Sequence, residues 1–240
     1  MPIVDRSGSR ELADQWAGSL YLAPSSTSTV RRGGLSTSTR RSTNKTVHRS
    51  HRRCFPDFIS SNSSMTKNPN LDLSTLIRAI PDFPKPGILF RDITPLLGNP
   101  VAFEETIERM ADLIRGERID ALVAAEARGF IFAAPLAIAL GAAFVPVRKP
   151  GKLPYETHSY SYDLEYGSDT LHMHTDAIRP GSRVWIVDDL LATGGTVEAC
   201  TKLLENFQAN VVGALFCIEL EFLEGRRRLA PHRVEALLKY

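Results

Sequence analysis

The chain has 240 residues, 43% of them hydrophobic and 23% charged, with a formal net charge of +2. Those proportions suit one globular domain with a tail, and no stretch nears the ~18 uninterrupted apolar residues of a membrane-spanning helix. Three widely spaced cysteines (Cys54, Cys200, Cys217) form no C-x-x-C pair, which argues against a disulfide scaffold and a zinc ribbon and fits a reducing compartment.

The small net charge hides two unlike parts. Residues 1–64 carry ten Lys/Arg against four acids, a net +6, and the rest carries 19 basic against 23 acidic residues, a net −4. The mildly acidic remainder offers no nucleic-acid surface. Residues 25–64 are dominated by Ser, Thr and Arg, with too little apolar area to offset the entropy of ordering. The expectation is a disordered extension over 1–66 and one domain over 67–240. An Arg-rich, Ser-rich, acid-poor extension has the composition of a targeting peptide or of a basic arm for nucleic acid. It equally suits a stretch ahead of a start at Met65. Residues 16–23 (WAGSLYLA) are too short an apolar run for a secretory signal.

Leu71, Leu73, Leu76, Ile77 and Ile80 recur at three- and four-residue spacing and predict a short amphipathic helix. A proline-studded loop follows over 81–95. Pro100 opens a helix over about 100–117. Residues 120–125 (DALVAA) read as a strand, 130–140 as a buried helix ending at Gly141, and 142–147 (AAFVPV) as a strand. YSYDLEY and DTLHMH form a hairpin within 160–174. Residues 183–189 (RVWIVDD) are a strand, 195–208 an amphipathic helix and 210–220 a strand. Near-continuous apolar strands alternating with helices argue for an α/β fold, a mostly parallel central sheet covered on both faces.

The most informative segment is 184–196, VWIVDDLLATGGT. An apolar strand ends in Asp188 and Asp189, a turn runs through Ala192, Thr193, Gly194, Gly195 and Thr196, and a helix begins. In open α/β sheets such strand ends face the ligand crevice. The glycines let backbone approach an oxyanion, the helix amides point at it, and the threonine hydroxyls add donors. The loop predicts a phosphate monoester. The paired acids then hold what the phosphate carries: vicinal ribose hydroxyls or a divalent cation. Neither G-x-x-x-x-G-K-[ST] nor G-x-G-x-x-G is present. His172 and His174 alternate on one strand face as a possible metal pair, but with no third ligand nearby they read as an exposed face of the hairpin.

This stretch resembles the phosphoribosyl-pyrophosphate (PRPP) motif of the type I phosphoribosyltransferases. Phe83–Ile93 (FPKPGILFRDI), Glu126–Phe130 (EARGF), Arg148–Pro154 (RKPGKLP) and Leu164–Gly167 (LEYG) resemble further motifs of its adenine-using branch, in the same order, over about residues 70–240. The resemblance implies a type I fold with a small hood and a β-hairpin flap. It implies transfer of the 5-phosphoribosyl group from PRPP to N9 of adenine, giving AMP and pyrophosphate, with Mg²⁺ carried by PRPP and no metal held directly by the protein. It implies that Ala192 to Thr196 bind the 5′-phosphate and that Asp188 and Asp189 bind the ribose. Arg128, Arg148 and Lys149, with Lys152 near them, would meet the pyrophosphate; Leu89, Phe90 and Arg91 would bind adenine; Glu165 would be the acid/base in the flap, with Tyr166 packed over the reaction centre. A homodimer, no membrane partner and a cytoplasmic setting are implied, with an organelle as the alternative if residues 1–64 are an address. Two rivals stay open: transfer to xanthine, hypoxanthine or orotate, and a non-catalytic PRPP-binding regulator.

Overall fold

The computed structural model describes residues 70–164 and 167–240. The extension, with its expected disorder and targeting role, and the flap residues Glu165 and Tyr166 lie outside the described residues.

Five parallel strands make the central sheet: β3 (Ala121–Ala125), β4 (Ala143–Val147), β7 (Arg183–Leu191), β8 (Asn210–Glu219) and β9 (Arg233–Lys239), in the order β4-β3-β7-β8-β9. Their apolar runs are explained by burial on both faces. Leu122, Trp185, Val187, Leu215 and Cys217 belong to one core. Val123, Val184, Ile186, Ala214 and Phe216, their neighbours along the strands, belong to the other.

The first core is closed by α1 (Thr94–Leu97), α2 (Pro100–Ile114) and α3 (Gly129–Leu140). Asn99 caps α2, its side chain accepting from the Ala102 amide at 3.1 Å, and Pro100 takes the first turn. The helix α3 is apolar all round and ends at Gly141. The second core is closed by α4 (Gly195–Glu205) and by the hairpin of β5 (Thr157–Leu164) and β6 (Gly167–His174). Leu171 and Met173 of β6 are fully buried, so the base of this hairpin is part of the core. Its histidines are half-buried rather than exposed: His172 Nδ1 is 3.0 Å from Thr157 Oγ1, and His174 packs edge-on to Tyr155. Among the described residues no cluster of three metal-ligating side chains exists, and no helix is long and apolar enough to cross a membrane.

The expected helix over 71–80 is replaced by a 3-10 turn, Leu73–Leu76, followed by strand β1 (Arg78–Pro81). The Asp72 carboxylate caps the turn through the Ser74 amide at 3.0 Å. The chain beyond is taken up by antiparallel pairing with β2 (Leu89–Asp92), which lies inside the expected loop. Helix periodicity in Leu71–Ile80 thus reflects a turn whose Leu73, with Ile77 just after it, is buried in the first core, followed by a largely exposed strand. Two further elements, the four-residue helix α5 (Gly225–Arg228) and β9, complete the sheet edge.

Gly213 of β8 sits where Trp185 and the backbone of Arg233 converge. A Cβ there would lie 2.6 Å from the Arg233 carbonyl and 2.8 Å from the indole. Gly213→Ala is expected to overpack this contact and cost about 1–3 kcal/mol, read from a shifted urea midpoint.

Candidate active site

Strand order reverses between β3 and β7: the chain passes from β3 outward to β4, returns to β7, then proceeds outward through β8 and β9. Such a switch point leaves a crevice at the carboxyl ends of the strands. There, Arg128 at the head of α3 reaches across from β3 and places Nε 2.8 Å from Oδ2 of Asp189 on β7. The backbone of Gly129, next in sequence, packs against Asp188.

Asp188 and Asp189 lie in the last part of β7, which runs to Leu191 rather than stopping at 189. Asp189 is buried and its amide donates to Asp188 Oδ1 at 2.9 Å. Burial first, and then the adjacent Asp189 charge, push the Asp188 carboxyl well above its ordinary 3.8. The loop then turns at Gly194, whose φ of +85° favours glycine. Gly195 and Thr196 open α4, so the backbone amides of its first turn stand free of intrahelical partners. Gly225 at the start of α5 presses on the carbonyl of Ala192 and backs the loop from behind.

The cations gather one strand over. The Glu126 amide donates to the Val147 carbonyl at 3.0 Å, which brings the ends of β3 and β4 together. The buried Glu126 carboxylate then takes Arg148 Nε at 2.6 Å and Lys152 Nζ at 2.7 Å, one on each oxygen. Burial pushes Glu126 up, but hydrogen bonds from Lys152 and Arg148 outweigh it and hold the carboxyl below its ordinary 4.5. Lys149 pairs with Asp169 of β6, which also accepts from the Tyr162 hydroxyl at 3.1 Å. Burial lowers the Lys149 ammonium from its ordinary value. The Tyr162 hydroxyl also meets the Thr196 side chain, so the hairpin touches the start of α4.

The structure therefore brings together Arg128, Arg148, Lys149, Asp188, Asp189 and Ala192 to Thr196. Leu89, Phe90 and Arg91 lie on β2, with Phe90 edge-on to Phe83 at 5.1 Å and the Arg91 guanidinium 3.9 Å from the centre of the Tyr240 ring. Tyr240 follows β9, so β2 stands at the same carboxyl edge. Glu165 and Tyr166 fall outside the described residues. Glu126, Asp169 and Tyr162 carry roles that sequence motifs did not show. A buried Glu at one strand end and an Arg at the next could have suggested the first; no local signal marks the other two.

A parallel sheet with a glycine loop opening a helix at its switch point fits a phosphoribosyl transferase domain, and residues 96–229 match the family model of that description. Adenine phosphoribosyltransferase from Rhodopirellula baltica is 58% identical over 171 residues, covering 71% of this chain and 83% of that one. The crystal structure of adenine phosphoribosyltransferase from Thermoanaerobacter pseudethanolicus is 54% identical with a TM-score of 0.68, over 70% of this chain and 98% of that one. The Saccharomyces cerevisiae enzyme, crystallised with adenine and an imino-altritol bisphosphate, is 43% identical with a TM-score of 0.65, over 69% and 96%. The chain belongs to the adenine phosphoribosyltransferases of this family, pentosyltransferases of purine salvage.

Glu126→Gln leaves two cations facing a neutral amide and is expected to lower stability by about 1–3 kcal/mol at neutral pH. Because the folded carboxyl titrates below its ordinary 4.5, its contribution is complete above that value and fades as pH falls through the folded one. Urea midpoints of wild type and variant should therefore converge in acid.

Proposed function

We propose that this chain transfers the 5-phosphoribosyl group of PRPP to N9 of adenine, releasing pyrophosphate and forming AMP, through the residues gathered at the switch point. The observation that carries this reading is the Arg128–Asp189 pair at 2.8 Å beside the glycine loop that opens α4. The amides of Gly194 to Thr196 and the Thr193 and Thr196 hydroxyls hold the 5′-phosphate. Asp188 and Asp189 accept hydrogen bonds from the ribose hydroxyls. Arg128, Arg148, Lys149 and Lys152 exchange their carboxylate partners for the pyrophosphate, neutralising charge as it develops on the leaving group. Phe90 stacks on adenine, and the backbone of Leu89 to Arg91 reads its exocyclic amine against the oxo group of other purines.

The C1–O bond to pyrophosphate breaks as the C1–N9 bond forms, and Glu165 takes the proton that the adenine ring sheds. Since the hairpin base is buried in the core, closure over the reaction centre falls to its tip, where Tyr166 follows Glu165. The paired aspartates are taken up by the ribose hydroxyls, so the divalent ion is carried by the phosphates of PRPP and not held directly by the protein. Magnesium bound in this way would supply charge neutralisation on the pyrophosphate.

A homodimer is supported by α3, an apolar helix on which Ile138 is 85% exposed; such a face fits a second copy of the chain. Free, buried Cys200 and Cys217 support a reducing, cytoplasmic setting. Residues 1–66 are proposed to be an extension outside the catalytic domain.

The direct experiment is AMP formation from adenine and PRPP with Mg²⁺, comparing the full chain with one starting at Met65; both are expected to turn over equally, and no AMP from either refutes the reading. Glu165→Gln is expected to lower kcat at least about a hundredfold with little change in PRPP affinity; equal turnover removes Glu165 from the mechanism. Hydroxyl donors favour the charged carboxylate, so PRPP affinity should rise with pH across the raised Asp188 titration, and Asp188→Asn should weaken binding and flatten that limb in calorimetry.

A further inference from the structure

We infer that Tyr240 is a positioning residue for the base-reading strand: its ring seats the Arg91 guanidinium and so sets the free edge of Leu89–Arg91 at the distance adenine requires. The inference deepens the adenine-transfer reading above and rests on it.

The argument starts from the weakness of the hood. Among the described residues, strands β1 and β2 pair only with each other, with Ala79 opposite Arg91 and Ile80 opposite Phe90. A two-stranded ribbon is marginal by itself, so its placement depends on side-chain anchors. The flanking Ile88 and Ile93 are buried and hold the ends of β2. Between them, alternation puts Phe90 on one face, against Phe83, and Arg91 on the other.

Among the described residues no carboxylate pairs with Arg91. Its guanidinium instead lies 3.9 Å from the centre of the Tyr240 ring, a distance at which the planar cation stacks on the ring. Tyr240 is itself rigidly held. Its amide donates to the Glu219 carbonyl at 2.9 Å, and its carbonyl accepts from the Glu221 amide at 2.9 Å. Glu219 is clamped in turn by a two-pronged pair with Arg226, both contacts at 2.7 Å. A line of contacts therefore runs from the end of β8 through Tyr240 to the middle of β2.

With the Arg91 side chain committed to the ring, its backbone is what remains for the base. Main-chain recognition of an amine against an oxo group tolerates little displacement, so loss of the seat should fall on adenine and not on PRPP. The Tyr240 hydroxyl is buried with no hydrogen-bond partner among the described residues, which leaves the ring as the working part.

The test is steady-state AMP synthesis by the full chain, varying each substrate at saturation of the other. Tyr240→Ala is expected to raise the adenine KM about five- to tenfold with the PRPP KM and melting temperature near wild type. Inhibition by hypoxanthine should strengthen relative to adenine use, and Tyr240→Phe should restore the wild-type adenine KM. Arg91→Met removes the cation from the same stack without touching Tyr240 and should reproduce the selective rise, which keeps the question answerable if Tyr240→Ala fails to fold. An unchanged adenine KM in Arg91→Met or Tyr240→Ala, or equal rises in both KM values, overturns the inference while leaving the adenine-transfer reading intact. A wild-type chain that makes no AMP defeats that reading itself.

Discussion

Parallel strands deliver all their carboxyl ends to one edge, and at that edge this chain sets acids against cations across neighbouring strands. Arg128 meets Asp189 across the gap between β3 and β7, Glu126 holds Arg148 and Lys152 across β3 and β4, and Asp169 of the hairpin holds Lys149. Each pair joins segments far apart in sequence. The pairs keep a crowd of like charges in place before any polyanion arrives. They also mean that this edge does not present these cations as bare positive surface.

The hairpin ties this arrangement to the glycine loop that opens α4. Tyr162 shares Asp169 with Lys149 and faces Thr196, so one small cluster touches the cation set, the hairpin and the first turn of α4. The cation set and the hairpin are thereby joined through a few polar atoms. The base of the hairpin is buried in the second core.

What was legible in the sequence followed how local the cause was. The ends of α2 and α3 are written in Asn99, Pro100 and Gly141, each acting on its own turn. The turn from β7 into α4 was legible because two glycines follow an apolar strand and open a helical pattern. The hood was not: β1 and β2 exist because Arg78–Pro81 finds Leu89–Asp92 across a proline-rich connection, and that pairing overrides the helical spacing before it. Glu126 had a motif around it but no visible task until β3 and β4 lay side by side. Asp169 and Tyr162 gain meaning only when the hairpin folds onto α4, a contact no periodicity encodes.

Two sulfhydryls sit in the second and first cores on opposite faces of the sheet. Cys200 and Cys217 are buried, and burial drives both thiols up, Cys217 to about 12. Alkylating reagents attack the thiolate, so neither sulfur is reactive while the sheet stays assembled. Their labelling rate is therefore a clock for opening of the sheet, with one hand on each side of it.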